Sequence, residues 1–169
     1  VHSRDSTDFE AFKIPQLLIK QAYSTRAKRF RAAQILSDNP EWGVICNQTY
    51  LSIRDLSSDS RHINAACLAY NSLLAVYYLG LTSSRFPFYK NELAAKELMD
   101  VPLPKQSPIL RNCDLKSVDE LATKMFGLTR ADWTIVEDFL NFTLPDALRK
   151  SPGSGRRPTK RNNLEPELS

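Results

Sequence analysis

The chain is poor in what most small-molecule enzymes need. Its 169 residues include five glycines, three cysteines and two histidines. The glycines form neither G-x-G-x-x-G nor G-x-x-x-x-G-K-[ST], so no cradle for a phosphate or dinucleotide is written into the chain. Cys46, Cys67 and Cys113 are odd in number and widely spaced, and with His2 and His62 they make no C-x-x-C or H-x3–5-H pair. That argues against a metal site and for reduced thiols of a cytoplasmic protein, two of them packed in apolar surroundings. H-E-x-x-H and G-x-S-x-G are missing as well. His62 is therefore expected to cap or flank a helix, not to serve a Ser or Cys nucleophile. No signal-peptide pattern opens the chain, which starts at Val1 and not at a Met, and it is read as a piece of a longer protein.

Acid is lacking in two long runs. From Ala11 to Ser37 there is no Asp or Glu, while Lys13, Lys20, Arg26, Lys28, Arg29 and Arg31 supply six positive charges. From Ala147 to Leu164 there is again none, against Arg149, Lys150, Arg156, Arg157, Lys160 and Arg161. With an overall charge of only +4, the rest of the chain is net acidic. Two basic blocks on an acidic body point to a polyanion, of which nucleic acid is the commonest.

One long apolar run is present, Ile63 to Leu81. Asn64, Asn71 and Ser72 interrupt it with groups that hydrocarbon would leave unsatisfied, so it is expected to be a buried core helix and not a membrane span. Ahead of it, Gln16–Lys20, Phe30–Leu36, Gly43–Cys46 and Thr49–Ile53 read as strands, with Asp38-Asn39-Pro40-Glu41 as a turn. Behind it come two helices. Ser117 with Glu120 reads as a capping box for a helix that Gly127 stops, and Thr129 with Asp132 caps a second that Pro145 ends. The segment after Leu148 has nothing to bury and is expected to be disordered in isolation. The fold class is thus α+β: a small mixed or antiparallel sheet packed on a long buried helix, followed by a helical hairpin.

Taken in order, these pieces form a recognisable pattern. A strand PQLLIK (Pro15–Lys20), a basic strand, the pair GVICNQTYLSI, a helix containing L-x-x-N-S (Leu68, Asn71, Ser72), the aromatic loop SSRFPFY and a closing Pro-Leu-Pro follow one another. The whole resembles the C-terminal target-recognition region of adenine-specific N6 DNA methyltransferases of the TaqI-like and type IIG restriction-modification kind. The hairpin GLTRADWTIVEDFLNFTLPD and the tail SPGSGRRPTKR are similar to an extension found in a subset of those enzymes. Tyr70 departs from the pattern, standing where the family usually has an aliphatic residue.

The resemblance implies a division into a linker from a missing upstream domain (residues 1–13), a DNA target-recognition domain (14–110), a hairpin extension (111–148) and a basic tail (149–169). It also implies a parent enzyme that uses S-adenosylmethionine to methylate adenine in a specific duplex site, its catalytic domain upstream and a nuclease possible as a fusion. The partners expected are double-stranded DNA and that upstream domain. A base-modifying enzyme holds phosphates, reads base edges and supports an extruded nucleotide. Lys20, Arg26, Lys28, Arg29, Arg31, Arg85 and Lys90 are the DNA-contact candidates, Arg being suited to bidentate guanine contact. Phe86, Phe88 and Tyr89 could stack on unpaired bases, although Phe86 and Phe88 are expected to pack the loop onto the long helix. Asn71 and Ser72 are expected to satisfy buried backbone groups.

No active site is expected within the chain. Asp38-Asn39-Pro40-Glu41-Trp42 imitates the Asn/Asp-Pro-Pro-aromatic loop of these enzymes, but Glu41 replaces the second proline and the segment follows the PQLLIK strand. It reads as a turn, and no cofactor, metal or catalytic residue is assigned. The reading from a different class is a protein-interaction module that docks a partner subunit through the hairpin without reading DNA.

Overall fold

The computed structural model describes residues 12–36, 39, 43–55, 61–106 and 115–150. Three strands, β1 (Gln16–Ser24), β2 (Arg29–Ile35) and β3 (Tyr50–Arg54), form an antiparallel sheet in the order β2-β1-β3. Side chains alternate across it as the pleat requires. Leu17 and Ile19 of β1 point to one face and are fully buried, opposite Gln34 and Ala32 on β2 and Ile53 and Leu51 on β3. Beyond the last β3 pair the edge of β1 is taken up by a later loop: Tyr23 N–H donates to Asn91 O at 2.8 Å and Leu93 N–H donates to Gln21 O at 3.1 Å.

The helices are α1 (Arg61–Asn71), α2 (Leu73–Thr82), α3 (Ala95–Met99), α4 (Leu115–Phe126), α5 (Arg130–Asp138) and α6 (Leu144–Lys150), with a π-helical turn at Phe139–Thr143. α1 and α2 cover the inner face of the sheet. Ile63, Ala66, Ala69, Tyr70, Val76 and Leu79 close one core with Leu17, Ile19 and Phe30, and Phe139 and Leu144 of the C-terminal segment belong to the same cluster. Val118 and Ala122 of α4 bury Leu68 from its other side. The extension is thus welded to the α1–α2 layer by shared apolar burial.

The α+β class holds, with four local corrections. The apolar run is not one long helix: α1 and α2 are bent by 75° at Ser72. Ser72 adopts an extended backbone, its hydroxyl accepting from Ala75 N–H and donating to Ala69 O. Such local side-chain bonds compete with the helical ladder and favour a new N-cap. Gly43–Cys46 is no strand; Gly43 makes an isolated bridge to Lys13. Ser117 lies inside α4, which begins two residues earlier, so it is not the cap. Pro145 does not end the last helix. It lacks an N–H to give the preceding turn, and the wider turn just before it, where Leu144 N–H reaches Phe139 O, lets the helix continue to Lys150.

Two other signals are met as expected. Gly127 has φ 66°, its N–H bonding Lys124 O and that of Leu128 bonding Thr123 O, a Schellman ending. Thr129 and Asp132 exchange reciprocal cap bonds at 3.2 and 2.8 Å. Among the described residues no single helix is long and apolar enough to cross a membrane.

Candidate nucleic-acid interface

The helices cover one face of the sheet, and the alternation that buries Leu17 and Ile19 sends Leu18 and Lys20 to the other. Lys20 pairs with Arg31 on one side and with Tyr50 on the other. Cross-strand partners lie about 5 Å apart, so Arg31, Lys20 and Tyr50 form a row across the sheet. Arg31 and Tyr50 are exposed and Lys20 is half-exposed. The β1–β2 turn at the same end carries Arg26 and Lys28, both exposed. Lys28 has φ 54°, a left-handed conformation that a residue with a Cβ adopts at a cost. Glycine would sit there without strain, yet a cation does. The turn is fixed by Ala27 N–H donating to Ser24 Oγ at 3.2 Å.

Arg29 stands apart from its neighbours. It is 8% exposed, and its guanidinium donates to Asn71 O at 2.8 Å and to Asp119 Oδ2 at 3.2 Å. Asp119 also accepts from Leu73 N–H at 2.8 Å. One partly buried carboxylate therefore joins β2, the start of α2 and α4. Asn71 completes the node: its side chain accepts from Ala32 N–H at 3.1 Å and donates to Ala32 O at 2.8 Å, sealing the edge of β2 as a further strand would. Asn71 and Ser72 thus satisfy buried backbone groups, as anticipated, whereas Arg29 is a structural cation with no face left for DNA. A signal for this exists in the sequence. Asp119 lies among the apolar positions of α4, and an acid in such a stripe requires a partner.

The loop 83–94 reaches the same end of the sheet through its pairing with β1. Phe86 is fully buried and anchors it, its ring 5.3 Å from that of Tyr23 and 5.2 Å from that of Phe30. It packs on the strands and not only on the helices. Glu97 of α3 fastens the backbone: its carboxylate accepts from Ser83 Oγ, Ser84 N–H and Ala94 N–H at 2.8, 3.0 and 2.9 Å. Burial pushes the Glu97 carboxyl up, but these bonds outweigh it and hold it below its ordinary value of 4.5. Ser83 Oγ in turn accepts from the N–H groups of Arg85 and Phe86. Phe88, expected to pack inward, is instead 53% exposed, and Tyr89 is 66% exposed between Phe88 and an exposed Lys90. Arg85 is exposed too, and Glu92 is the acid at this end, bridged through its backbone to Ala22.

Six of the seven basic candidates, Lys20, Arg26, Lys28, Arg31, Arg85 and Lys90, therefore converge on one end of the sheet. At the opposite end of β3 a mostly apolar cavity of about 200 Å³ opens, lined by Ile53, Ile63, Tyr70 and Val101 together with the polar Arg54, Asp55 and His62. Tyr70, the departure from the family pattern, is buried and its hydroxyl donates to Leu98 O; burial, with the nearby Asp100 charge, pushes its pKa up to about 12. His62 is an exposed residue in the first turn of α1.

Among the described residues no glycine is placed to cradle S-adenosylmethionine. Among the described glycines, Gly43 lies against the Phe12 backbone, Gly80 against the Phe139 ring, and Gly127 ends a helix. No methyl-transfer step is derived from them. The near-match at residues 38–42 lies, apart from Asn39, outside the described residues, as do Cys113 and the tail beyond Lys150. No protein family, curated protein or solved structure matches the chain.

Proposed function

We propose that this chain is the DNA-contacting, target-recognition part of a site-specific adenine-N6 DNA methyltransferase of the restriction-modification or phage-defence type, with an S-adenosylmethionine-dependent catalytic domain upstream. The methyltransferase assignment rests on the order of sequence motifs. The contact surface rests on one observation: the solvent-accessible row Arg31–Lys20–Tyr50, with Arg26 and Lys28 on the turn and Arg85 and Lys90 on the loop at the same end of the sheet. None of these six cations makes an ion pair with a described residue. Duplex DNA carries one charge per roughly 1.7 Å of axis, so a cluster of cations binds it by releasing counterions, and bound phosphates would set the register for base contacts.

Binding of a fluorescent duplex to the 169-residue chain at low salt tests the reading. The wild type is expected to bind, and the triple variant Arg26→Ala, Lys28→Ala, Arg31→Ala to lose most of that affinity while staying folded. A flat wild-type titration would sink the proposal. That outcome would favour the second reading, a docking module. Its supporting observation is a shallow apolar groove where Leu81, Ile135 and Phe142 are 59%, 56% and 72% exposed beside Tyr77 and Phe139.

A further inference from the structure

We infer that the tip of the loop 83–94 is a stacking site for an unpaired nucleobase, with Phe88 and Tyr89 as the platform and Arg85 and Lys90 as its phosphate clamps; this rests on the DNA-contact reading above. The observation is a contrast within one loop. Phe86 is buried in the Tyr23–Phe30 cluster, whereas Phe88 and Tyr89, two and three residues on, are 53% and 66% exposed. Exposed aromatics on a floppy loop would mean little. This backbone is held by the Glu97 carboxylate, by Ser83 Oγ, and by the N–H groups of Tyr89 and Lys90 donating to Arg85 O at 2.8 and 3.2 Å. Two rings are thus presented with little ordering left to be done on binding.

The occupant follows from charge and position. The rings lie between two cations, on a loop paired to the end of β1 that also bears Lys20 and the Arg26–Lys28 turn. A ring face beside phosphate-binding cations fits a base and its own backbone, and such stacking tolerates any base because each has a π-face. A base inside an intact duplex is already stacked, so the site selects one that has lost its partner.

Two 20-base-pair duplexes provide the test, one with a central 2-aminopurine paired to thymine, the other with it facing an abasic site. The wild type is expected to bind the unpaired probe roughly tenfold more tightly and to quench its fluorescence. The variant Phe88→Ala, Tyr89→Ala, both exposed and remote from the core, is expected to lose that preference while keeping its affinity for the paired duplex. Equal preference in variant and wild type, or no preference in the wild type with paired-duplex binding intact, would overturn the stacking site alone. No binding to either duplex would remove the DNA interface with it. Sedimentation with phosphatidylserine vesicles that the variant loses, without discrimination between the duplexes, would assign the tip to a membrane surface and overturn the inference.

Discussion

Arg29 and Arg31 sit two residues apart on the same strand and meet opposite surroundings. The guanidinium of Arg29 lies in a sealed node, bonded to Asn71 O and Asp119, with 10% of its side chain accessible. That of Arg31 is exposed at the turn end of the sheet, in a row with Lys20 and Tyr50. Strand alternation alone would put both on one face. The register shift between the Lys20 and Ser24 pairs breaks the alternation at the turn and frees Arg29 to reach the helices. The lesson is that a basic run is not a unit: Arg29 builds the scaffold, whereas Arg26, Lys28 and Arg31 are exposed.

The sealed side is where substitution should cost most. Arg29→Met leaves the Asp119 charge and Asn71 O without their partner, and a loss of about 3–5 kcal/mol in denaturant unfolding is expected. Asn71→Ala, which orphans the N–H and C=O of Ala32 at the β2 edge, should cost about 2–3 kcal/mol by the same measurement. If either change is neutral, the contrast between sealed and open sides is wrong.

The open side should respond in binding and local order, with little effect on global stability. The folded pKa of Glu97 is depressed, so its contribution to fastening the loop is complete above 4.5 and is lost as pH falls below that value through the folded pKa. Amide exchange at Ser84 and Ala94, corrected for intrinsic rates, should therefore speed up on acidification below 4.5 and be already fast in Glu97→Gln. Protection that ignores pH there would show that the carboxylate does not hold the loop. Lys28→Gly removes a left-handed Cβ and a charge together. A gain of roughly 0.5–1 kcal/mol in stability with weaker duplex binding is expected. Loss of stability would mean that the turn is not strained.

Much of the frame was legible in the sequence because its signals are local. Gln16–Lys20 and Phe30–Ile35 carry strand-forming patterns, and Gly127 and the Thr129–Asp132 pair are self-contained terminus signals that depend on no distant residue. What was not legible depends on partners far along the chain. The Arg29–Asp119 pair spans 90 residues. The bend at Ser72 is supported by Asp119, which caps Leu73 N–H from another helix. Pro145 would end an isolated helix, but Phe139 and Leu144 are held in the core on either side of the π turn and carry the chain through. The aromatic loop divides likewise: Phe86 and Phe88 are equivalent by composition, and only the Tyr23–Phe30 cluster decides which goes inside.

The central claim is that the cations on the open face meet phosphate. Its most direct test is the salt dependence of duplex affinity for Lys20→Ala, Arg31→Ala against the wild type. Each phosphate contact contributes about 0.9 to the slope of log affinity against log salt, so the double variant should be shallower by about 1.8, with stability changed by less than about 0.5 kcal/mol. A folded variant with an unchanged slope would contradict the account.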